Sequence, residues 1–537
     1  MTGHVLGEDS VSGQAWTVGD CMRCYRKMDL PGVDVLVDYR QFLTVKQASS
    51  VAKQNGKEGT VSELYGVTQW DCDFKTYKLQ GDWQAALGIT VRVPHLAWMS
   101  MEGEAKRDWP ASIFMQSPWY REYPYIEDYF ARLNTVLTRG KACTCIGMLH
   151  PVESAWLEMG PYDQTKASLK ELDDRTEQIV KWLLFGALDF DLISEALLEE
   201  QCEGDCCVSG KKLSVGEMEY SVLILPFMKT IRSSTLKVLE QFSQNGGEIL
   251  ILGEIPRYVD GMRSHKGDWL EQKGIKVPFS EECLLGHLKK CRDVEIIKEK
   301  GGRSDNLFYQ FRQEPACKWL FLCHVNPSGE DPLVMEKYEI HINGTYKITL
   351  YDGISGKIKQ RKGSYEGGKT ILHWNCYAHD SLLLRLEDRK EIDCSEVNGE
   401  YESGILAPVP EENGTKIVLE KPDFYRCMEP NMLLLDYASY RVDGGKIYER
   451  KEILRLDNHI RSMLGFALRQ EESEQPWFLE EKECHKVELF YSFYSEIEEF
   501  ANLGIERPES CQIWLNGVRV STERAGYYVD PAISVIR

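Results

Sequence analysis

Thr60-Val61-Ser62-Glu63-Leu64-Tyr65-Gly66 reads as a short strand that runs into a glutamate and is closed by a glycine. A helical stretch from Phe74 to Leu87 follows, and then the next strand, Gly88-Ile89-Thr90-Val91-Arg92-Val93. The same alternation holds on either side. Asp34-Val35-Leu36-Val37 is strand-like, Val45 to Gln54 reads as a helix ending at Gly56, and Tyr125 to Leu137 is an amphipathic helix. Strands alternating with helices predict βα units and a parallel sheet. A (β/α)8 barrel takes about 250 residues, so a segment running only to about Gly140 supplies roughly its last four units. The expectation is a chain without the N-terminal half of its barrel; a half-barrel that dimerises is the alternative.

From Gly140 to about Val294 the alternation changes style. Thr144 to Leu149 is a strand ending at His150-Pro151, and Leu169 to Phe185 is a long helix. Ser221-Val222-Leu223-Ile224-Leu225-Pro226 and Glu248-Ile249-Leu250-Ile251-Leu252-Gly253 are continuous apolar runs, the mark of strands buried on both faces. Between them the helix Ser233 to Phe242 stops at Asn245-Gly246-Gly247. This predicts a doubly wound α/β domain. From about Gly301 the pattern turns to β, with Asn343-Gly344 and Asn516-Gly517 each flanked by strand-like runs as in a hairpin. Short strands at regular spacing suggest β-sandwiches. Asp530 to Arg537 stops with no closing strand evident, so the last sandwich reads as truncated.

The fold class expected is therefore multidomain α/β plus β, in line with a 537-residue chain at roughly 100–200 residues per domain. A formal net charge of −20 makes nucleic acid and anionic membranes poor partners, and no apolar run is long enough to span a bilayer. The 17 cysteines are odd in number and scattered, several in apolar runs, which fits reduced thiols in a cytoplasmic protein better than a disulfide framework. Cys21-Met22-Arg23-Cys24 has CxxC spacing, but no second pair follows at zinc-ribbon distance.

Barrel enzymes place their chemistry at the C-terminal ends of strands. Three such ends are polar here. Gly3-His4-Val5-Leu6-Gly7-Glu8-Asp9 carries His4 and two carboxylates, and reads equally as a solvated loop. The second is Glu63 itself: a carboxylate ending a buried strand is costly unless paired or used, and a salt bridge to a barrel arginine is the structural alternative. Tyr65 and Trp70, beside Asp71, offer rings that could stack on a sugar. The third, Val93-Pro94-His95-Leu96-Ala97-Trp98, offers His95 to a sugar hydroxyl and Trp98 beside it. A charged loop holding Arg107 follows, with Trp119 beyond it, and reads as a rim over a pocket or an ordinary surface loop. Glycosidic hydrolysis needs two carboxyl groups flanking the bond, and Glu63 and Glu8 are the in-chain candidates.

Together, Thr2-Gly3-His4-Val5-Leu6-Gly7-Glu8, Met28-Asp29-Leu30-Pro31-Gly32-Val33-Asp34, Ser62-Glu63-Leu64-Tyr65-Gly66, Pro94-His95-Leu96 and Lys106-Arg107-Asp108-Trp109-Pro110 resemble the α-L-rhamnosidase-like glycoside hydrolases of family 106 and their relatives. The resemblance is strongest over residues 1 to about 160. It implies a catalytic (β/α)8 barrel whose C-terminal half is residues 1–140, an inverting mechanism on rhamnosyl or related deoxyhexosyl linkages, and often a calcium ion, for which no ligands are assigned. Glu63 would be the general base, with the acid either upstream of Met1 or Glu8. Residues 141–298 resemble the amidotransferase-like domain that follows the barrel in some β-galactosidases, without the nucleophilic cysteine. A small β-sandwich is expected over 299–395 and a galactose-binding-like β-sandwich over 396–537. A glycoside substrate is implied and a homo-oligomer is compatible; a non-catalytic carbohydrate-binding protein is the alternative.

Overall fold

The computed structural model describes residues 1–36, 39–68, 70–102, 113–202, 207–327, 334–389, 405–406, 431–466, 468, 484–498 and 500–537. Glu63 lies on a parallel sheet of four strands among the described residues: β1 (Thr2–Gly3), β2 (Leu30–Val35), β3 (Val61–Leu64) and β4 (Val91–Pro94), in that spatial order. Sequential parallel order with a helix after each of β2, β3 and β4 is the pattern of barrel βα units. β2 starts four residues before the position suggested by its apolar run, at Leu30-Pro31-Gly32. Gly32 allows this, because a Cβ there would lie 2.3 Å from the Gly3 carbonyl oxygen of β1.

Period-two alternation gives the sheet two unlike faces. Val33, Val35, Ser62 and Leu64 are buried against helices, whereas Asp34, Glu63 and Val93 stand in one row across β2, β3 and β4 on the other face. The helix Phe42–Gln54 packs on β2 with one side and on strand Asp191–Ile193 of a second sheet with the other. Its polar residues Lys46, Gln47, Ser50 and Gln54 are all buried. Lys46 Nζ lies 2.8 Å from Asp189 and 3.6 Å from Asp191, and Lys53 reaches the same two carboxylates. Tyr220 Oη and Thr144 Oγ1 donate to Asp191 and Asp189, and Gln54 Nε2 donates to Leu192 O at 2.8 Å.

That second sheet is fully parallel. Its order is Ile275–Val277, Glu248–Leu252, Val222–Pro226, Ile146–Leu149, Asp191–Ile193, the doubly wound arrangement in which the first two strands are swapped relative to the chain. Next come two antiparallel sheets around a shared core that includes Ile340, Ile342, Leu320, Leu322, Leu384 and Trp374. One contains Val294–Lys298, Glu336–Asn343 and Lys369–Cys376; the other contains Leu307–Gln313, Lys318–His324, Tyr346–Tyr351 and Ser381–Asp388.

The hairpin expected at Asn343-Gly344 is not formed. Glu336–Asn343 pairs with Lys369–Cys376 while Tyr346–Tyr351 pairs with Ser381–Asp388 in the opposite sheet, so the dipeptide is a crossover between sheets. Both strands present apolar residues to the shared core, and burying them from opposite sides outweighs the local turn preference. At Asn516-Gly517 the hairpin is present, with both residues in the left-handed region and Ile513–Leu515 paired to Val518–Val520.

Met1–Leu96 and Arg121–Pro408 form one compact unit, and Ala97–Tyr120 and Val409–Arg537 a second. Residues 97–120 thus leave the segment to which the sequence assigns them. Within that second unit Asp530, fully buried, accepts from Met101 N at 3.0 Å, Gln116 Nε2 at 3.1 Å and Ala532 N at 2.9 Å, and Arg507 pairs with Glu102. Asp530–Ile536, where no strand was evident, is the middle strand of a three-stranded sheet with Leu503–Glu506 and Arg524–Tyr528. Among the described residues every cysteine is a free thiol, and no helix is long and apolar enough to cross a membrane.

Removing one cation from a buried group of charges leaves carboxylates uncompensated, at a cost of about 3–5 kcal/mol. Lys46→Met is expected to lower the urea midpoint accordingly. A loss below about 1 kcal/mol would show that Lys53 alone neutralises Asp189 and Asp191.

Candidate active site

Each polar group of the site is delivered by a strand end. His4 follows β1, Asp34 is the penultimate residue of β2, Glu63 occupies the same place in β3, and His95 follows β4. The register pairs Asp34 with Glu63 and Glu63 with Val93, so the two carboxylates are direct neighbours on adjacent strands. His95 Nδ1 is 3.2 Å from Glu63 Oε1. His4 Nε2 lies 3.8 Å from Asp34 Oδ2 and 3.9 Å from Glu63 Oε2. The Glu63 side chain keeps 34% of its surface exposed, and its ion-pair neighbours among the described residues are these two histidines.

The arginine on the adjacent strand β4, Arg92, points to the other face of the sheet. Arg92 Nη2 lies 2.6 Å from Glu127 Oε2, Nη1 donates to Tyr65 Oη at 3.0 Å, and the guanidinium stacks on Phe130 at 3.8 Å. The arginine is thereby used beneath the site, which leaves Glu63 beside titratable imidazoles instead of a fixed cation. Asp34 Oδ1 is buried without a hydrogen-bond partner among the described residues. Such an orphaned atom costs free energy unless a ligand or ion meets it.

The backbone after Glu63 is strained. Tyr65 has φ +73° and Val67 φ +58°; a β-branched residue there is a true outlier, costing on the order of 1–3 kcal/mol. Between them Gly66 is pressed against His95: a Cβ at 66 would fall 2.3 Å from His95 Cδ2 and 2.7 Å from Cγ. The turn therefore sets the imidazole against the carboxylate.

Glu8 is 5% exposed, and burial lifts its carboxyl to about 7, with the charges of Asp34 and Asp9 adding and that of His4 opposing. Asp34 is raised by burial and by the charge of Glu63, partly offset by His4 and His95. Glu8 is thus within electrostatic reach of His4 and Asp34. His4, Asp34 and Glu63 have donor atoms within 4.8 Å of one another and form a group that could hold a metal ion.

The remaining residues singled out in the sequence fare differently. Tyr65 is fully buried: its ring packs edge-on to Tyr77 and its hydroxyl donates to Tyr77 O, so it presents no face to a sugar. Its aromatic character supports the floor of the site. Trp70 is half-buried and Asp71 exposed, in the turn before the helix Phe74–Ala86. Trp98 and Trp119 belong to the second compact unit, both half-buried, and Arg107 lies outside the described residues. One residue of the site went unread in the sequence. Asp34 looked like the start of a strand, although its period-two step from Val33 and Val35 already placed it on the open face.

No protein-family model matches the chain, and no curated protein matches it. Among solved structures, the rhamnosidase from Novosphingobium sp. PP1Y superposes with a TM-score of 0.55 at 16% identity, covering 70% of this chain and 36% of its own. A β-galactosidase from Bacillus circulans sp. alkalophilus matches at TM-score 0.46 and 12% identity over 68% of this chain and 61% of its own. An α-L-fucosidase isoenzyme from Paenibacillus thiaminolyticus matches at 0.42 and 10% over 67% and 65%. This chain therefore spans little more than a third of the rhamnosidase and under two thirds of the other two. At these identities the likeness is one of fold, shared with the rhamnosidase over 70% of this chain.

Proposed function

We propose that this chain carries part of a glycoside hydrolase active site, with Glu63 as the carboxylate that activates water for attack on an α-L-rhamnosyl or related deoxyhexosyl linkage. One observation carries the reading: a partly exposed strand-end glutamate held between His95 and His4, while Arg92 on the adjacent strand is committed to Glu127. A carboxylate so placed can accept a proton from water, and His95 and His4 can orient it and donate to sugar hydroxyls. Glu8, whose carboxyl burial lifts to about 7, is the in-chain candidate for the general acid. The superposition on a rhamnosidase supports the sugar class, and the free thiols favour a reducing, cytoplasmic setting.

The carboxyl pair brought into register bears on stereochemistry. Oxygens of Asp34 and Glu63 approach within 4.8 Å, whereas an inverting pair stands roughly 6.5–9.5 Å apart to admit a water. Asp34 and Glu63 are therefore too close to be that pair, and inversion on Glu63 needs a different carboxyl, for which Glu8 is the candidate. The same shortfall favours the second reading, a protein that binds sugar without cleaving it. The calcium ion implied by the resemblance fits the group at His4, Asp34 and Glu63 poorly, because calcium takes six to eight oxygen ligands and an imidazole nitrogen suits a transition ion. No step is assigned to it.

Glu63→Gln is expected to lower kcat/KM on an aryl α-L-rhamnoside by about 10³-fold or more; unchanged turnover removes Glu63 from the mechanism. Binding measured by calorimetry with no hydrolysis in the wild type would establish the second reading. The pH profile tests Glu8. A general acid works protonated, so kcat/KM should fall as pH rises through about 7. Glu8→Gln should abolish that limb along with most activity, and a limb that survives the substitution assigns the acid elsewhere.

A further inference from the structure

The β-sandwich holds a second convergence of donor groups, remote in sequence from Glu63 and independent of the proposed hydrolysis. We propose that His324, Glu336 and Cys376 bind a zinc ion, or another borderline-soft divalent cation, that staples the two sheets of the sandwich at one rim. His324 ends strand Lys318–His324 of one sheet. Glu336 begins strand Glu336–Asn343 and Cys376 ends strand Lys369–Cys376 of the other, and these two are register partners. One donor atom from each of the three lies within 4.8 Å of the others.

The histidine shows why a cation belongs there. Its Nδ1 is 2.8 Å from the Asp380 carbonyl oxygen, which can only accept, so Nδ1 carries the proton. Its Nε2 then faces Glu336 Oε2 at 3.2 Å. Two electron pairs do not face each other at that distance unless a proton or a metal lies between them. A proton alone would make a simple His–Glu ion pair; the Cys376 sulfur, within 4.8 Å of both, adds the third donor that a metal would take. Cys376 is fully buried and His324 is 1% exposed. Nitrogen, sulfur and carboxylate oxygen converging beside a side chain that is 30% exposed is a donor set of zinc with room for a water. Orientation of a ligating imidazole by a hydrogen bond from its other nitrogen to a backbone carbonyl is the usual outer support of such sites. Tyr338 Oη fixes the Glu336 carboxylate in the same way.

Bond lengths of ~2.0–2.3 Å place tetrahedral donors ~3.3–3.8 Å apart. The imidazole–carboxylate distance already meets this, and the 4.8 Å limit on the others asks for shifts of about 1 Å on binding. On binding, Cys376 releases its thiol proton to solvent and ligates as thiolate. Three protein ligands leave the fourth position to water.

The test replaces zinc by cobalt(II) in the whole chain. A thiolate-to-cobalt charge-transfer band with about one equivalent of metal is expected. The band should vanish in Cys376→Ser and persist in His4→Ala, which disables only the group beside Glu63. Absence of the band in the wild type, or its survival in Cys376→Ser, overturns the proposal. Two further measurements do not depend on that variant folding. Glu336→Gln, at a partly exposed position, should weaken zinc at least tenfold in a chelator competition. X-ray absorption of the zinc-loaded wild type should show one sulfur neighbour. Unaltered affinity or a sulfur-free shell would count against the site.

Discussion

The first compact unit depends on the burial of two lysines against two aspartates. Lys46 and Lys53 lie on a helix that serves two sheets at once, and Asp189 and Asp191 sit on or beside the outer strand of the second. Buried charges of this kind contribute less by attraction than by exclusion: any other seating of the helix would strand carboxylates in an apolar layer. The helix Phe42–Gln54 is thus held at one height and rotation, and with it β2 and the carboxylate that β2 carries to its end. A similar device acts at the sandwich, where Lys78 bonds to Asp82, the His379 carbonyl and Ser381, and Tyr129 donates to Asp82.

Given that frame, a period of two does the rest. One residue of each strand points into the helices and the next points away, so Arg92 and Glu63 occupy opposite faces although their strands are adjacent. The cation is used for a structural pair with Glu127, and the carboxylate is left in the company of imidazoles. The left-handed backbone at Tyr65 and Val67 shows that the turn after Glu63 is stabilised by its surroundings and not by its own preferences.

How much of this was legible follows from which forces are local. The alternation of strands and helices could be read because amphipathic period is written residue by residue. Glu63 could be singled out because a carboxylate closing an apolar strand conflicts with burial. Tyr65 could not be placed, since an aromatic ring at a strand end serves equally as a platform or as packing, and only the Arg92 hydroxyl contact decides. The two Asn-Gly dipeptides make the point most directly. At 516–517 local turn chemistry prevails because the flanking strands are exposed, and at 343–344 it yields to a core shared between two sheets. Met101 and Gln116 are tied to the C-terminal strands by a buried carboxylate, Asp530, more than 400 positions from the amides it accepts from, and Glu102 by Arg507, distances across which no local pattern speaks.

Gly66 carries a consequence for how this sequence can drift. With the imidazole of His95 filling the space where any side chain would begin, even alanine there must displace the ring, and the ring is what borders the Glu63 carboxylate. Neutral variation is thereby closed at position 66 for as long as the histidine is retained, and a lineage that accepted a larger residue would have to surrender the histidine first. The glycine can be replaced only after the histidine has gone.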